Sequence, residues 1–575
     1  MLGGIRAAAV VAALAGCSLP LAIRAQSVTP GDLQGAARQG EQLLRQQQEL
    51  QDARQRDRDR SQQLPSGESL PQSAGDAMGV SPQGKCVDTN SLELVGVHLL
   101  SKEQIAKLQQ SVVGHCLGVI EINALLRRIT DIYVSKGYVT TRAYVPAQNA
   151  TDGRLRIVVI EGRVERVEVE PKGSASAGTA FPKSVGEVFN LRDAEQGIDQ
   201  LNRLSSNNAK LDIRPGSTPG SSVLAVINSP SRRVTGAFSS ENTGTTATGL
   251  WQGTATLALD NPLRINDGLL VSFTRNLDHP GEGPAMSRAT AASYSVPYGW
   301  WTGSLMYTET AYDSLVHGIT RNFVTSGTSR SETLRFDRVA YRDQSAKLTI
   351  YADLTRRDTE NFVAGQLVAT GSRVLTLADL KANLSVVHGM TLWTFNGGIS
   401  RGVSWFGALR DPGNLPGNAP HSNFLRTNAD AGVSRGFAPF GIRIHLSSTL
   451  AGQWSNEVLY PSEQLAIAGP FAVRGYRQVN LYGDRGLTWR NELGFPLVFG
   501  AGNTTPLNIR PFVGGDFGKI WSHNDVPGSY LSGRTLGASV SFARDVLELS
   551  WSEAGRRSSN LPADHYFFAR FAASF

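Results

Sequence analysis

From about residue 232 to the end, apolar and polar residues alternate with a period of two, and the longer period of an amphipathic helix is missing. In "SAKLTIYADL", Ala346, Leu348, Ile350, Ala352 and Leu354 fall on one face. "GIRIHLSSTL" repeats this through Ile442, Ile444 and Leu446, and "DVLELSW" through Leu547, Leu549 and Trp551. The chain ends "HYFFARFAASF", with Phe567, Ala569, Phe571, Ala573 and Phe575 on one side. At about 20 residues per strand and connection, the segment 231–575 holds about 16 antiparallel strands, an even number as expected for a membrane barrel. An array of soluble β-sandwiches is the alternative.

Upstream, the periodicity is mixed. "SLELVGVHLL" predicts a strand. Ser101 then opens a helix, with Gln104 completing a capping box and Ile105, Leu108 and Val112 on its buried face. "EINALLRRITDIYVSKG" predicts a second helix, apolar through Ile122, Leu125, Leu126, Ile129, Ile132 and Tyr133 and ended by Gly137. The strands "YVTTRAYVP" and "GRLRIVVIEG" follow. A lighter copy of this order comes next: strand "RVERVEVE", helix "LRDAEQGIDQLNRLSS" with Leu191, Ile198, Leu201 and Leu204 as its stripe, and strands "AKLDIRPG" and "SSVLAVINS". Two tandem α/β units, 86–163 and 164–230, predict a modular arm rather than an enzyme core. Before them, residues 26–65 predict a helix with Thr29 as N-cap and Pro30 at its first position. Its apolar stripe is too thin to drive its own burial, so it is either a solvated linker or a helix standing in a water-filled lumen. Residues 66–85 predict a flexible linker.

The N-terminus decides the compartment. "MLGGIRAAAVVAALAGCSLPLAIRAQ" has a positive start at Arg6 and a short apolar core, predicting a signal peptide over 1–25 cut after Ala25. "LAGC", Leu14–Cys17, offers a rival lipoprotein site; both send the chain out of the cytoplasm. No later run of 18 or more apolar residues could form a membrane helix, which leaves strands as the spanning elements. Alternation with a polar second face in an exported chain predicts a closed barrel in the outer membrane. Cleavage after Ala25 leaves two cysteines, Cys86 and Cys116, which an oxidising compartment reads as a disulfide, with two free thiols as the alternative. The net charge of +7 is modest for 575 residues, and no Lys/Arg block with interleaved aromatics points to nucleic acid.

Catalytic motifs are poor. Gly398–Gly402, "GISRG", is a formal G-x-S-x-G around Ser400, but no helix follows it as a nucleophile elbow requires. Neither "GK" pair precedes Ser or Thr, so there is no phosphate-binding loop. The nine histidines are scattered and no H-E-x-x-H or paired C-x-x-C occurs, so no metal or other cofactor is expected.

Several stretches carry a family resemblance over nearly the whole mature chain. They are "GVHLLSKEQI", "YVTTRAYVPAQ", "LRIVVIEGRV", "LRDAEQGIDQLNRL", "IRPGSTPGSS", "ENTGTTATGLWQGTATLALDNPLRINDGLLVSF", "VRGY" at Val473–Tyr476 and "FVGGDFG" at Phe512–Gly518. In this order they resemble the two-partner secretion transporters (the TpsB family), within the superfamily of outer-membrane barrel-assembly insertases. The resemblance implies a lumenal N-terminal plug helix, POTRA domain 1 at 86–163, POTRA domain 2 at 164–230, and a 16-stranded barrel with an inward-folded loop around 461–486. It implies a loop–barrel lock of Val473, Arg474, Gly475, Tyr476, Phe512, Asp516 and Gly518. Arg474 would fork onto Asp516, worth about 1–3 kcal/mol in a partly wet lumen. Arg477, Asp484 and Arg485 are alternative partners in the same loop. It further implies secretion of a large haemolysin-, haemagglutinin- or adhesin-like exoprotein without ATP, contact with outer-membrane lipid, and recognition of Phe575 by the barrel-assembly machinery. A barrel-assembly insertase and a passive pore are the rival functions.

Overall fold

The computed structural model describes residues 86–575 apart from 149–151, 279–283, 318–321, 478, 480, 501–504, 522–527 and 559–560. The predicted signal peptide, polar helix and linker lie outside the described residues.

In the first α/β unit, strand Arg154–Ile160 pairs in parallel with Ser91–Val95 and antiparallel with Arg142–Tyr144. Helices α1 (Lys102–Gln110) and α2 (Val119–Ser135) cover one face of this sheet. Leu108, Leu125, Ile129 and Tyr133 pack there on Leu92, Leu155 and Ile157. Ser101 caps α1 reciprocally: its Oγ accepts the Gln104 N–H at 3.2 Å, and Gln104 Oε1 accepts the Ser101 N–H at 3.1 Å. The strand expected over 91–100 stops at Val95, because Gly96 takes φ +79° with the Val159 carbonyl packed against it. The strand expected over 138–146 shortens to Arg142–Tyr144. Cys86 and Cys116 are disulfide-bonded with Cα atoms 5.4 Å apart, beside the short pair Val87–Thr89 and His115–Leu117. Closing this 30-residue separation contributes about 3–4 kcal/mol in the chain-entropy model.

The second unit repeats the topology: Ser221–Asn228 lies parallel to Arg163–Glu170 and antiparallel to Ala209–Pro215. Arg163, assigned by the sequence to the first unit, therefore opens the second. A short helix α3 (Ala177–Ala180) precedes α4 (Leu191–Asn202), whose Leu191, Ala194 and Leu201 are buried against the sheet.

The rest is one closed barrel of 16 antiparallel strands, from Val234–Glu241 to His565–Ser574, which pair with each other to complete the ring. Two short strands, Gln366–Leu367 and Leu497–Phe499, extend neighbouring hairpins. Outward positions such as Leu334, Phe336, Ile350, Leu549 and Trp551 are exposed and apolar, as a lipid-facing surface requires. Ile442, expected on a strand face, sits in the turn after Pro439–Gly441, and its strand starts at Ile444.

Helix α4 is fixed to the barrel's nearer end. Gln200 Nε2 donates to the Gly299 carbonyl at 2.9 Å, and Arg203 Nη2 donates to the Asn266 carbonyl at 2.7 Å. Arg342, almost fully enclosed, pairs with Asp199 and with Glu195 at 3.4 Å.

Glu161 organises the first unit. Its buried carboxylate accepts the backbone N–H of His98 (2.7 Å) and of Leu99 (3.1 Å) and the Tyr133 hydroxyl (2.7 Å), and lies 3.0 Å from His98 Nδ1. Burial pushes this carboxyl up, but the hydrogen bonds outweigh burial and hold it below its ordinary value. A folded-state pKa below the unfolded one contributes stability above about pH 4.3, lost as pH falls through the folded value. We expect Glu161→Gln to destabilise this unit by about 1–3 kcal/mol at pH 7. It should also remove part of the acid sensitivity below about pH 4. Hydrogen exchange of the full chain in urea across pH 3–7 checks both, and equal protection in variant and wild type would contradict them.

Candidate functional site

The site is the connection 456–484 between strands Ile444–Ser455 and Arg485–Gly494. It turns into the barrel, where Gln464–Ala466, Ala468–Ala472 and Arg474 line a cavity of about 1080 Å³ together with wall residues. The expected loop boundary at 486 moves, because Arg485 already belongs to the wall.

Local structure makes the descent. The short 3₁₀ turn Pro461–Glu463 buries Glu463, which pairs with Arg357 and, at 2.8 Å, with Arg426, two arginines from other parts of the wall. Leu465–Ala466 then pairs with Tyr482–Gly483 as a small hairpin inside the barrel. Beyond it, Val473 and Tyr476 are fully buried against Ile467, Ile520 and Leu531. This apolar cluster places the tip, and the charged groups orient it.

The structure brings Arg474 and Asp516 together. Nε and Nη2 of Arg474 reach the two Asp516 oxygens at 2.7 and 2.9 Å, and the Arg474 backbone N–H donates to Oδ2 at 3.1 Å. The two side chains are 5% and 0% exposed, so the lumen is not partly wet at this point as the sequence reading assumed. Removing one partner of a buried pair costs about 3–5 kcal/mol, above the range for a half-solvated pair. The other expected lock residues surround this fork. Gly475 takes φ +99°, and a Cβ there would lie 2.5 Å from the Glu553 carbonyl carbon. Tyr476 donates its hydroxyl to the Ser532 carbonyl at 2.9 Å. Phe512 is buried beneath the Arg510 guanidinium, 5.3 Å from its ring centre. A Cβ on Gly518 would lie 2.9 Å from Val473 Cγ2.

Sequence reasoning missed two partners, Glu492 and Gly533, and named a third residue, Arg477, only as an alternative. Glu492 accepts Arg474 Nη1 at 3.0 Å and Arg510 Nη1 at 2.7 Å, turning the pair into a chain of alternating charge. Period two in 485–494 places Glu492 on the inward face with Arg490, so alternation could have found it. Gly533 leaves room for the loop backbone, since a Cβ there would lie 1.8 Å from the Arg474 carbonyl oxygen. Arg477 donates to the Asn242 carbonyl at 3.0 Å, while its own N–H donates to Asp564 at 2.6 Å. No local motif marks Gly533 or Arg477. Of the other charged loop residues weighed as alternatives, Asp484 is buried accepting the Leu459 N–H at 2.9 Å, and Arg485 donates to the Ser455 carbonyl at 2.8 Å. Ser400 lies inside strand Thr391–Val403, 3.2 Å from Arg426 Nη2, and the next element is another strand. A nucleophile elbow is excluded there. Among the described residues no cluster of His, Cys, Asp or Glu is arranged to hold a metal.

A closed barrel with an α/β pair at one end and an arginine-tipped connection folded into its lumen defines a POTRA-bearing outer-membrane translocation barrel. The family model for the haemolysin secretion/activation proteins ShlB/FhaC/HecB matches residues 220–540. Models for a ShlB-type POTRA domain and a POTRA domain match 87–162 and 163–215. The chain belongs to that family of two-partner secretion transporters, set in the Gram-negative outer membrane with its POTRA domains in the periplasm. It is 31% identical to the outer membrane transporter CdiB of Dickeya dadantii (strain 3937) over 516 residues, 88% of each chain. It is 29% identical to the hemolysin transporter protein ShlB of Serratia marcescens over 98% of each chain. Superposition on CdiB from Escherichia coli gives a TM-score of 0.82 at 28% identity, covering 96% of this chain and all of that one.

Two predictions follow from the lock geometry. Arg474→Ala and Asp516→Ala should each release the connection, raising its protease sensitivity at equal folded barrel by at least tenfold. The double variant should be little worse than either single one; additive losses would show that the two residues act separately. Gly533→Ala should also displace the tip while leaving Asp516 in place. A Gly533→Ala barrel with wild-type protease resistance would contradict the close approach.

Proposed function

We propose that this transporter captures a large haemolysin-, haemagglutinin- or adhesin-like exoprotein with its POTRA domains and conducts it, extended, through the barrel lumen without ATP. The observation that carries this reading is the docked connection: a segment of the chain's own backbone lies inside the lumen, held by ion pairs and one small apolar cluster. A lumen that accommodates one polypeptide segment is suited to another once the docked one shifts. Docking by a few discrete contacts allows that shift without unfolding the wall.

The POTRA sheets supply a capture mode. Arg142–Tyr144 and Ala209–Pro215 each pair on one side only among the described strands, so each offers an open edge to which an extended chain can add. The fixed seat of α4 holds the second sheet beside the barrel entrance. Relatives named as haemolysin transporters support the class of cargo. Folding of the exoprotein outside the cell gives direction, since a folded product cannot re-enter.

Clean deletion of this chain should leave its exoprotein degraded or held in the periplasm, measured by immunoblot of medium and periplasmic fractions. Proteoliposomes of the purified transporter should move the exoprotein's N-terminal fragment without nucleotide. Normal exoprotein in the medium of the deletion strain would end this reading, and strict dependence on added ATP would end its energetic part.

A further inference from the structure

The outer wall carries a feature apart from the lumen and the POTRA arm. On strand Ala346–Val363, Tyr351, Asp353, Thr355 and Arg357 line the lumen, so Leu348, Ile350, Ala352, Leu354 and Arg356 face outward. Four apolar positions are followed by a charged one as the strand leaves the POTRA end. That change marks the outer edge of the lipid-facing belt. The first residues of the connection 404–424 bend down over the wall at this edge. Thr376 Oγ1 donates to the Trp405 carbonyl at 2.9 Å, and Arg356 Nε donates to the Phe406 carbonyl at 3.3 Å. The Leu409 N–H donates to the Val374 carbonyl at 2.8 Å.

With its backbone pinned, the segment presents its side chains away from the wall. Trp405 is 55% and Phe406 64% exposed, and Phe406 holds φ +53°. Arg401, outward because Ser400 faces the lumen, and Arg410 flank a cavity of about 460 Å³ beside Trp405 and Leu409. Among the described residues neither arginine has an acidic partner. Asp411 also lines the cavity, but its carboxylate is occupied by the Ser422 N–H and hydroxyl at 2.8 and 2.7 Å and the Asn423 N–H at 3.0 Å. Two free guanidinium groups next to exposed aromatics on a pinned backbone combine anion recognition with an apolar, interface-seeking surface.

We propose that this pocket binds the phosphorylated head group of an outer-leaflet glycolipid, the lipid A moiety of lipopolysaccharide. Arg401 and Arg410 take its phosphates, and Trp405 and Phe406 sit where its sugars meet the acyl chains. Position selects this occupant: the cavity opens at the rim of the lipid belt, where the outer leaflet carries phosphate on an acylated sugar. The site would hold the 404–424 connection down on the wall and anchor the barrel at that depth.

The test uses the full-length transporter, purified and stripped of lipid, with bisphosphoryl lipid A as the probe and native mass spectrometry as the readout. Arg401→Glu/Arg410→Glu should bind at least tenfold more weakly than wild type at equal folded barrel. Wild type should show a similar loss toward dephosphorylated lipid A. Arg401→Lys/Arg410→Lys should retain most of the binding. Arg410→Gln, in the loop and outside every strand, serves if the double reversal fails to fold, with an expected loss of severalfold. Undiminished binding by Arg401→Glu/Arg410→Glu or, where that fails to fold, by Arg410→Gln, or equal binding of phosphorylated and dephosphorylated lipid, would overturn the proposal. Displacement by equimolar inorganic phosphate would overturn it in favour of a free-anion site. Loss of exoprotein binding in the reversal variant with lipid A binding intact would assign the pocket to protein instead.

Discussion

A guanidinium enclosed in a barrel lumen has to find its anion within the protein, because the water that would otherwise solvate it has been displaced. Arg474 meets this requirement with a forked pair to Asp516 and a second carboxylate, Glu492, which Arg510 balances in turn. The fork requires the tip of the connection 456–484 to lie against strand Leu507–Trp521 at one register and one depth. Much else in the lumen follows from that placement. Val473 and Tyr476 fill the apolar hollow beside it, and Gly475, Gly518 and Gly533 are positions where added carbon would push the tip away. An ion pair of this kind adds less to net stability than its geometry suggests, since desolvation consumes most of the attraction. What it adds is orientation: an apolar cluster alone would tolerate several loop positions, and a bidentate fork tolerates one.

A barrel of 16 strands is too wide for its own side chains to fill, in contrast to eight-stranded barrels. The inward connection occupies part of this space, and it is tied at its root and its tip. Glu463 bridges Arg357 and Arg426 near its root, and Arg474 holds its tip. At the periplasmic end, α4 is tied to the barrel turns by Gln200, Arg203 and the enclosed Arg342. These are hydrogen bonds and ion pairs more than apolar burial.

The architecture was open to reading because it rests on local patterns. Period-two alternation signals strands, period-3.6 stripes signal the POTRA helices, and the Ser101–Gln104 box marks a helix start within four residues. Boundaries were less legible. Gly96 ended a strand that apolar content would have continued, and Arg163 started the second unit where the sequence kept it in the first. In both cases contacts from another segment decided: the Val159 carbonyl packed on Gly96, and the ladder partner Ser221 for Arg163.

By itself the sequence determined the strand-rich membrane half, the tandem α/β arm, the family motifs and the candidate pair Arg474 and Asp516. Each depends on residue types spaced along one segment. Tertiary structure alone decided that Glu492 joins the pair, that Gly533 makes room for it, that Arg477 reaches across to Asn242, and that Trp405 and Phe406 are pinned over the outer face of the wall. These relations join residues from 18 to more than 200 positions apart. Closure of the ring and strand register bring them together, and neither leaves a periodic trace in the sequence around any one of them.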